Sequence, residues 1–113
     1  MQVRNITKRT ILSSNLKIAE SPVDKLFGLL KKKNPRSLLF KTRFGIQTFF
    51  LKEPIDIIVL GNHNQVVKAK TVKPNSLFFY NPTSITVLEL PKDTIKNTQT
   101  KIGDKIEFLE SKG

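Results

Sequence analysis

Two carboxylates set inside apolar runs are the residues best placed to do chemistry. Asp56 interrupts Pro54-Ile55-Asp56-Ile57-Ile58-Val59-Leu60, and Glu89 interrupts Val87-Leu88-Glu89-Leu90-Pro91. A carboxylate among aliphatic side chains must be buried with partners or face an open cleft. In a cleft the two would line a pocket and hold a ligand or a cation. In closed packing they would accept hydrogen bonds from loop amides, or pair with Lys or Arg, and close the end of a sheet. Phe49-Phe50 and Phe78-Phe79-Tyr80 add neighbouring rings. Strand side chains alternate between faces, so these rings cannot all enter one core. An open aromatic face beside Gln47, Asn81 or a carboxylate would suit a sugar or a similar ligand, whereas a strand between two layers would bury both faces. The candidate ligand-binding set is Phe49, Asp56, Tyr80 and Glu89.

Catalytic arrangements find less support. The single histidine, His63, lies in the polar turn Gly61-Asn62-His63-Asn64 with no serine nearby, and it reads as an exposed turn residue. Asp104 follows Gly103 and reads as a turn former. With no cysteine in the chain, thiolate metal sites, disulfides and cysteine nucleophiles are excluded, and the reading calls for no metal or cofactor. A second candidate is electrostatic. Residues 1–52 hold 12 Lys+Arg and 2 acids, while residues 53–113 hold 8 and 7, so the net charge of +11 is concentrated in the first half. Lys31, Lys32, Lys33, Arg36, Lys41 and Arg43 form the densest cluster. Such a patch would neutralise phosphates of a nucleic acid or another polyanion, or serve as a solvated face.

The elements that must position these groups are mostly strands. Val, Ile and Thr supply 7, 11 and 10 residues, against two alanines, Ala19 and Ala69. Apolar runs at residues 37–42, 46–52, 55–60, 65–72, 77–80, 84–90 and 105–109 alternate with Gly, Pro and Asn turn signals. The spacing predicts a mainly β domain, a small antiparallel sandwich or barrel-like sheet, with a hairpin joining 55–60 to 65–72 across Asn62 to Asn64. One helix is predicted over about residues 21–31. Ser21-Pro22-Val23-Asp24 resembles a capped helix start, Val23, Leu26, Phe27 and Leu30 form one stripe, and Asn34-Pro35 ends it. All 113 residues read as one domain. No signal peptide or membrane-length apolar run is evident, so a cytoplasmic location is expected.

An ordered series of blocks carries a family resemblance. These are Ser21 to Leu30, then Leu38-Leu39-Phe40, then Thr48 to Leu60, then Val87-Leu88-Glu89-Leu90-Pro91, and finally Gly103-Asp104. Over Ser21 to Phe108 the chain resembles the family known as domain of unknown function 192, small proteins of bacteria and archaea. The resemblance implies a mainly β fold with one short helix, and it supplies no activity. Against the family pattern, Leu30 and Leu51 replace common methionines, Gln47 a histidine, Gly61 an aspartate and Asp93 a glycine. Together, residues and resemblance predict a non-enzymatic module that binds an unidentified small molecule, with nucleic-acid binding through the basic cluster as the alternative.

Overall fold

The computed structural model describes residues 1–18, 37–41, 46–47, 53–74, 77–78 and 86–110. Its strands are β1 (Gln2–Asn5), β2 (Thr10–Ser13), β3 (Lys17–Ile18), β4 (Leu38–Lys41), β5 (Ile46–Gln47), β6 (Ile55–Leu60), β7 (Val66–Val72), β8 (Leu77–Phe78), β9 (Thr86–Pro91) and β10 (Ile106–Leu109). Among the described residues there is one α-helix, α1 (Thr94–Thr98), between β9 and β10. The strands form a five-stranded sheet in the order β3-β4-β9-β6-β7, a three-stranded sheet β10-β1-β2, and the pair β5-β8. The ladders are antiparallel except for the short β3-β4 pair. Among the described residues the larger sheet ends at β3 and β7, so it is open and not a closed barrel.

β6 and β9 lie at the centre of the larger sheet because they are apolar on both faces, as interior strands must be. Directly opposed residues share a face, so the register sorts the side chains. Ile58 opposes Leu88 and Leu60 opposes Thr86, which puts Ile58, Leu60, Leu88 and Leu90 on one face. That face joins Val3, Leu12, Leu16 and Ile106 in a single buried cluster, packing the larger sheet on the smaller one. The opposite face carries Ile57, Val59 and Val87, also fully buried. The predicted hairpin is present as β6 and β7, from Ile55 opposite Val72 to Leu60 opposite Val66, with a bulge near Leu60.

The first 18 residues differ from the sequence expectation, which placed no strand there. Val3 and Leu12 point into the core, and a tight turn joins β1 to β2 with Arg9 in left-handed backbone at φ 58°. These strands were missed because they are four residues long and broken by Lys8-Arg9, too short to show a period. The predicted helix over 21–31 lies outside the described residues. Helix α1 was also unforeseen. It spans five residues, and its inward positions are Ile95, packed on the core, and buried Thr98. Residue Asp93, just before it, has φ 72°, a conformation natural to glycine that Asp tolerates better than most residues.

Candidate functional site

The two carboxylates singled out in the sequence lie on adjacent strands but on opposite faces. Asp56 opposes Leu90, whereas Glu89 opposes Ile57 and Leu38. No ligand touches both without passing through the sheet. Asp56 is 0% exposed and anchors two elements. Thr71, its neighbour on β7, donates its hydroxyl to Oδ1 at 2.7 Å, and the backbone N–H of Ile95 donates to Oδ2 at 2.7 Å. The second bond ties the first turn of α1 to the sheet and satisfies one of the amides that a helix start leaves unpaired. Glu89, 1% exposed, sits on the other face among Leu38, Ile57 and Val87. Lys41 is exposed on β4, and His63 is exposed in a 3-10 turn with φ 58°. Phe49, Tyr80, Lys31, Lys32, Lys33, Arg36 and Arg43 lie outside the described residues.

A more extensive polar site joins the β1–β2 turn to the segment after α1. At its centre is Asn5, 0% exposed. Its Nδ2 donates to Thr100 Oγ1 at 3.1 Å and to Asp104 Oδ2 at 2.8 Å, while its Oδ1 accepts the Lys8 N–H at 3.0 Å. Only this amide orientation works, since a flipped Asn5 would face a carboxylate with its own oxygen. Lys8 Nζ lies 2.9 Å from both Asp104 oxygens, and the Lys101 N–H donates to Oδ2 at 3.0 Å. Asp104 does form the expected turn, its N–H donating to Lys101 O beside Gly103 at φ +95°. It is also the acceptor that holds the two ends of the described chain together.

The hydroxyls in this network are ordered by their proton count. Thr98 Oγ1 donates its only proton to Thr94 O at 2.7 Å. Thr98 and Thr100 Oγ1 are also 2.7 Å apart, so Thr100 must be the donor there. Beside this network opens a groove of about 450 Å³ lined by Lys8, Ile95, Lys96, Gln99, Thr100 and Lys101. The lining contains neither a histidine nor a carboxylate, and with Lys8 paired to Asp104 it is the ammonium groups of Lys96 and Lys101 that favour an anion. Sequence reasoning missed it because Lys8 and Lys101 are far apart in the chain and only the pairing of β1 with β10 brings them together.

Asp104 gives the network a pH dependence. Burial raises its pKa, but hydrogen bonds from Asn5, Lys8 and Lys101 and the charge of Lys8 outweigh burial, leaving it below the ordinary value of 3.8. A carboxyl group with a lowered folded-state pKa stabilises the fold fully above its unfolded value and loses that contribution as pH falls through the folded one. Asp104→Asn should therefore be less stable than the parent at pH 6, and the gap should narrow as pH drops below about 4. Urea midpoints at both pH values check this, and a gap unchanged by acid would contradict it.

Against known proteins, residues 3–108 match the model of the family described as Uncharacterized ACR, COG1430 (domain of unknown function 192). The chain belongs to this family. The match starts at residue 3, so β1 and β2 are part of the family unit together with the blocks from residue 21 onwards. Relatives include a UPF0127 protein of Pyrococcus horikoshii, 29% identical over 93% of this chain and 96% of the relative. A second, from Pyrococcus abyssi, is 27% identical over 93% and 95%. A solved protein of unknown function from Novosphingobium aromaticivorans shares the fold, with a TM-score of 0.70 and 18% identity over 82% of this chain and 74% of its own. Two departures from the family pattern now have a structural setting. Asp93 holds a positive φ, backbone natural to the glycine expected there from the resemblance. At Gly61, where the resemblance led to an expected aspartate, a Cβ would lie 2.8 Å from Val67 Cγ1, so a side chain requires Val67 to move. Among the described residues, no helix is long and apolar enough to cross a membrane.

Proposed function

We propose that this family member is a non-enzymatic binding module for a small anionic ligand, held in the groove between the β1–β2 turn and α1. The observation that carries the reading is that Lys96 and Lys101, neither ion-paired among the described residues, line one groove beside the Asp104-bound Lys8, with no acid in its lining. The fixed network beneath Lys8 and Thr100 supports it, because a preorganised site loses less entropy when a ligand binds. With no imidazole or carboxylate in the lining, binding is favoured over acid–base catalysis. The reading keeps the small ligand expected from the sequence and moves it to a site with the charge expected of the polyanion alternative.

Inorganic phosphate is the simplest probe. At low ionic strength it should bind to the wild-type protein, and added salt should weaken the binding. Lys96→Ala combined with Lys101→Ala should weaken it about tenfold, as expected for two partly exposed charge contacts. Lys41→Ala, on β4, should leave it unchanged. Calorimetric or NMR titration reads the difference. No phosphate binding at low salt, or equal loss from the Lys41 variant, would refute the proposal.

A further inference from the structure

Resting on the anion-binding reading of the groove, we infer that Asp104 sets the groove's charge and with it the class of anion it prefers. By holding Lys8 it leaves Lys96 and Lys101 as the free cations, a charge matched to a single phosphate group, where a third would turn the site toward polyphosphates. Asp104 is 5% exposed and does not line the groove. It acts through Lys8, whose side chain lines the groove and is 27% exposed, while its Nζ lies 2.9 Å from both Asp104 oxygens. Lys96 and Lys101 are exposed, and among the described residues neither has an ion-pair partner. One buried carboxylate beneath the groove therefore cancels one of the ammonium groups in its lining. The Asp104 carboxyl titrates below the ordinary carboxylate value, so it is ionised and Lys8 stays paired at neutral pH.

The two carboxylate oxygens have different duties. Oδ2 accepts the Asn5 amide at 2.8 Å and the Lys101 N–H at 3.0 Å, as well as Lys8 at 2.9 Å. Oδ1 accepts Lys8 alone. Asp104→Asn consequently has one orientation that keeps the network. Its oxygen takes the place of Oδ2 and still accepts from Asn5 and Lys101, while its NH2 takes the place of Oδ1. That NH2 aims hydrogens at an ammonium group, which has only donors of its own, so the ion pair is lost and the Lys8 charge is no longer cancelled. The substitution thus separates tying Asn5 and Lys101 into place from neutralising Lys8. An added positive charge attracts a ligand in proportion to the ligand's own charge, so the change favours the more highly charged anion.

Calorimetric titration of the wild-type protein, Asp104→Asn and Asp104→Glu with inorganic phosphate and with pyrophosphate, at low ionic strength and neutral pH, tests the inference. Asp104→Asn should bind phosphate about fivefold more tightly than the wild type, and the gain should be larger for pyrophosphate. Loosening the network would weaken binding, so a merely structural role predicts the opposite sign. Asp104→Glu disturbs the same packing but keeps the charge, and it should show no gain. Adding Lys8→Met to Asp104→Asn should take the gain away. NMR of the wild-type protein covers the case in which Asp104→Asn does not fold: added phosphate should shift the ε-methylene signals of Lys96 and Lys101 and leave that of Lys8 nearly fixed. The charge-setting role would be overturned, with the anion groove left standing, if phosphate bound the wild type and bound folded Asp104→Asn no more tightly. An equal gain in Asp104→Glu, a pyrophosphate gain no larger than that for phosphate, or a Lys8 signal that moves with the other two would do the same. Phosphate binding to none of the proteins would remove both readings.

Discussion

Asn5→Ala is expected to lower the free energy of unfolding by about 3 kcal/mol, because the truncation breaks three hydrogen bonds at a fully buried site. The remaining partners fare unequally. Thr100 loses a donor it can spare, but Asp104 loses one of the contacts that offset its burial, and the Lys8 N–H is left facing a void. Asn5→Asp has nearly the same shape and should be comparably damaging at neutral pH, since it sets one carboxylate against another where the amide now donates at 2.8 Å. Acid should relieve part of that second loss and a smaller part of the first, since losing the Asn5 bond removes one of the contacts that keep Asp104 ionised. Urea unfolding of the three proteins at pH 7 and pH 4 measures this, and a loss under 1 kcal/mol for Asn5→Ala would show that the network is not a tie between the chain's distant parts.

The second large effect is expected at Asp56. Asp56→Ala strands the Ile95 N–H and the Thr71 hydroxyl and should cost about 2.5 kcal/mol. Asp56→Asn keeps a carbonyl for Ile95 and turns its amide toward Thr71, whose oxygen accepts in place of donating, so about 1 kcal/mol should be lost. Because Ile95 and Lys96 line the groove, freeing the first turn of α1 should also weaken phosphate binding in the alanine variant. Hydrogen exchange at the Ile95 amide gives a local readout, which should accelerate in Asp56→Ala and change little in Asp56→Asn. Unchanged protection in the alanine variant would mean that α1 is held by packing alone.

The difference between what could and could not be read in the sequence comes down to range. The β6–β7 hairpin is a local object: two β-rich runs and a polar turn are enough to specify it. Asp56 was legible as a carboxylate needing partners because it stands alone among aliphatic residues, but its opposition to Glu89 across the sheet depends on a register that no spacing encodes. The basic groove was invisible for a stronger reason. Lys96 and Lys101 share one unremarkable polar stretch, and Lys8, far away in the chain, joins them only when β1 pairs with β10. Asn5 looks like any turn residue until three partners converge on it. Short strands also defeat periodicity, which is why β1, β2 and the five-residue α1 left no usable pattern.

The pairing of Gln2 with Leu109 also bears on how the protein reaches its native state. β1 cannot complete its sheet until β10 is available, so one of the two layers around the core depends on closing nearly the whole chain into a loop. That closure is entropically costly and is recovered only late, whereas the β6–β7–β9 region needs much shorter closures. Folding should therefore begin in the larger sheet, with the smaller layer, the Asn5 tie and the groove arriving together as the last step. A binding site assembled last reports on completion: a chain that holds its ligand has already brought its most distant parts together.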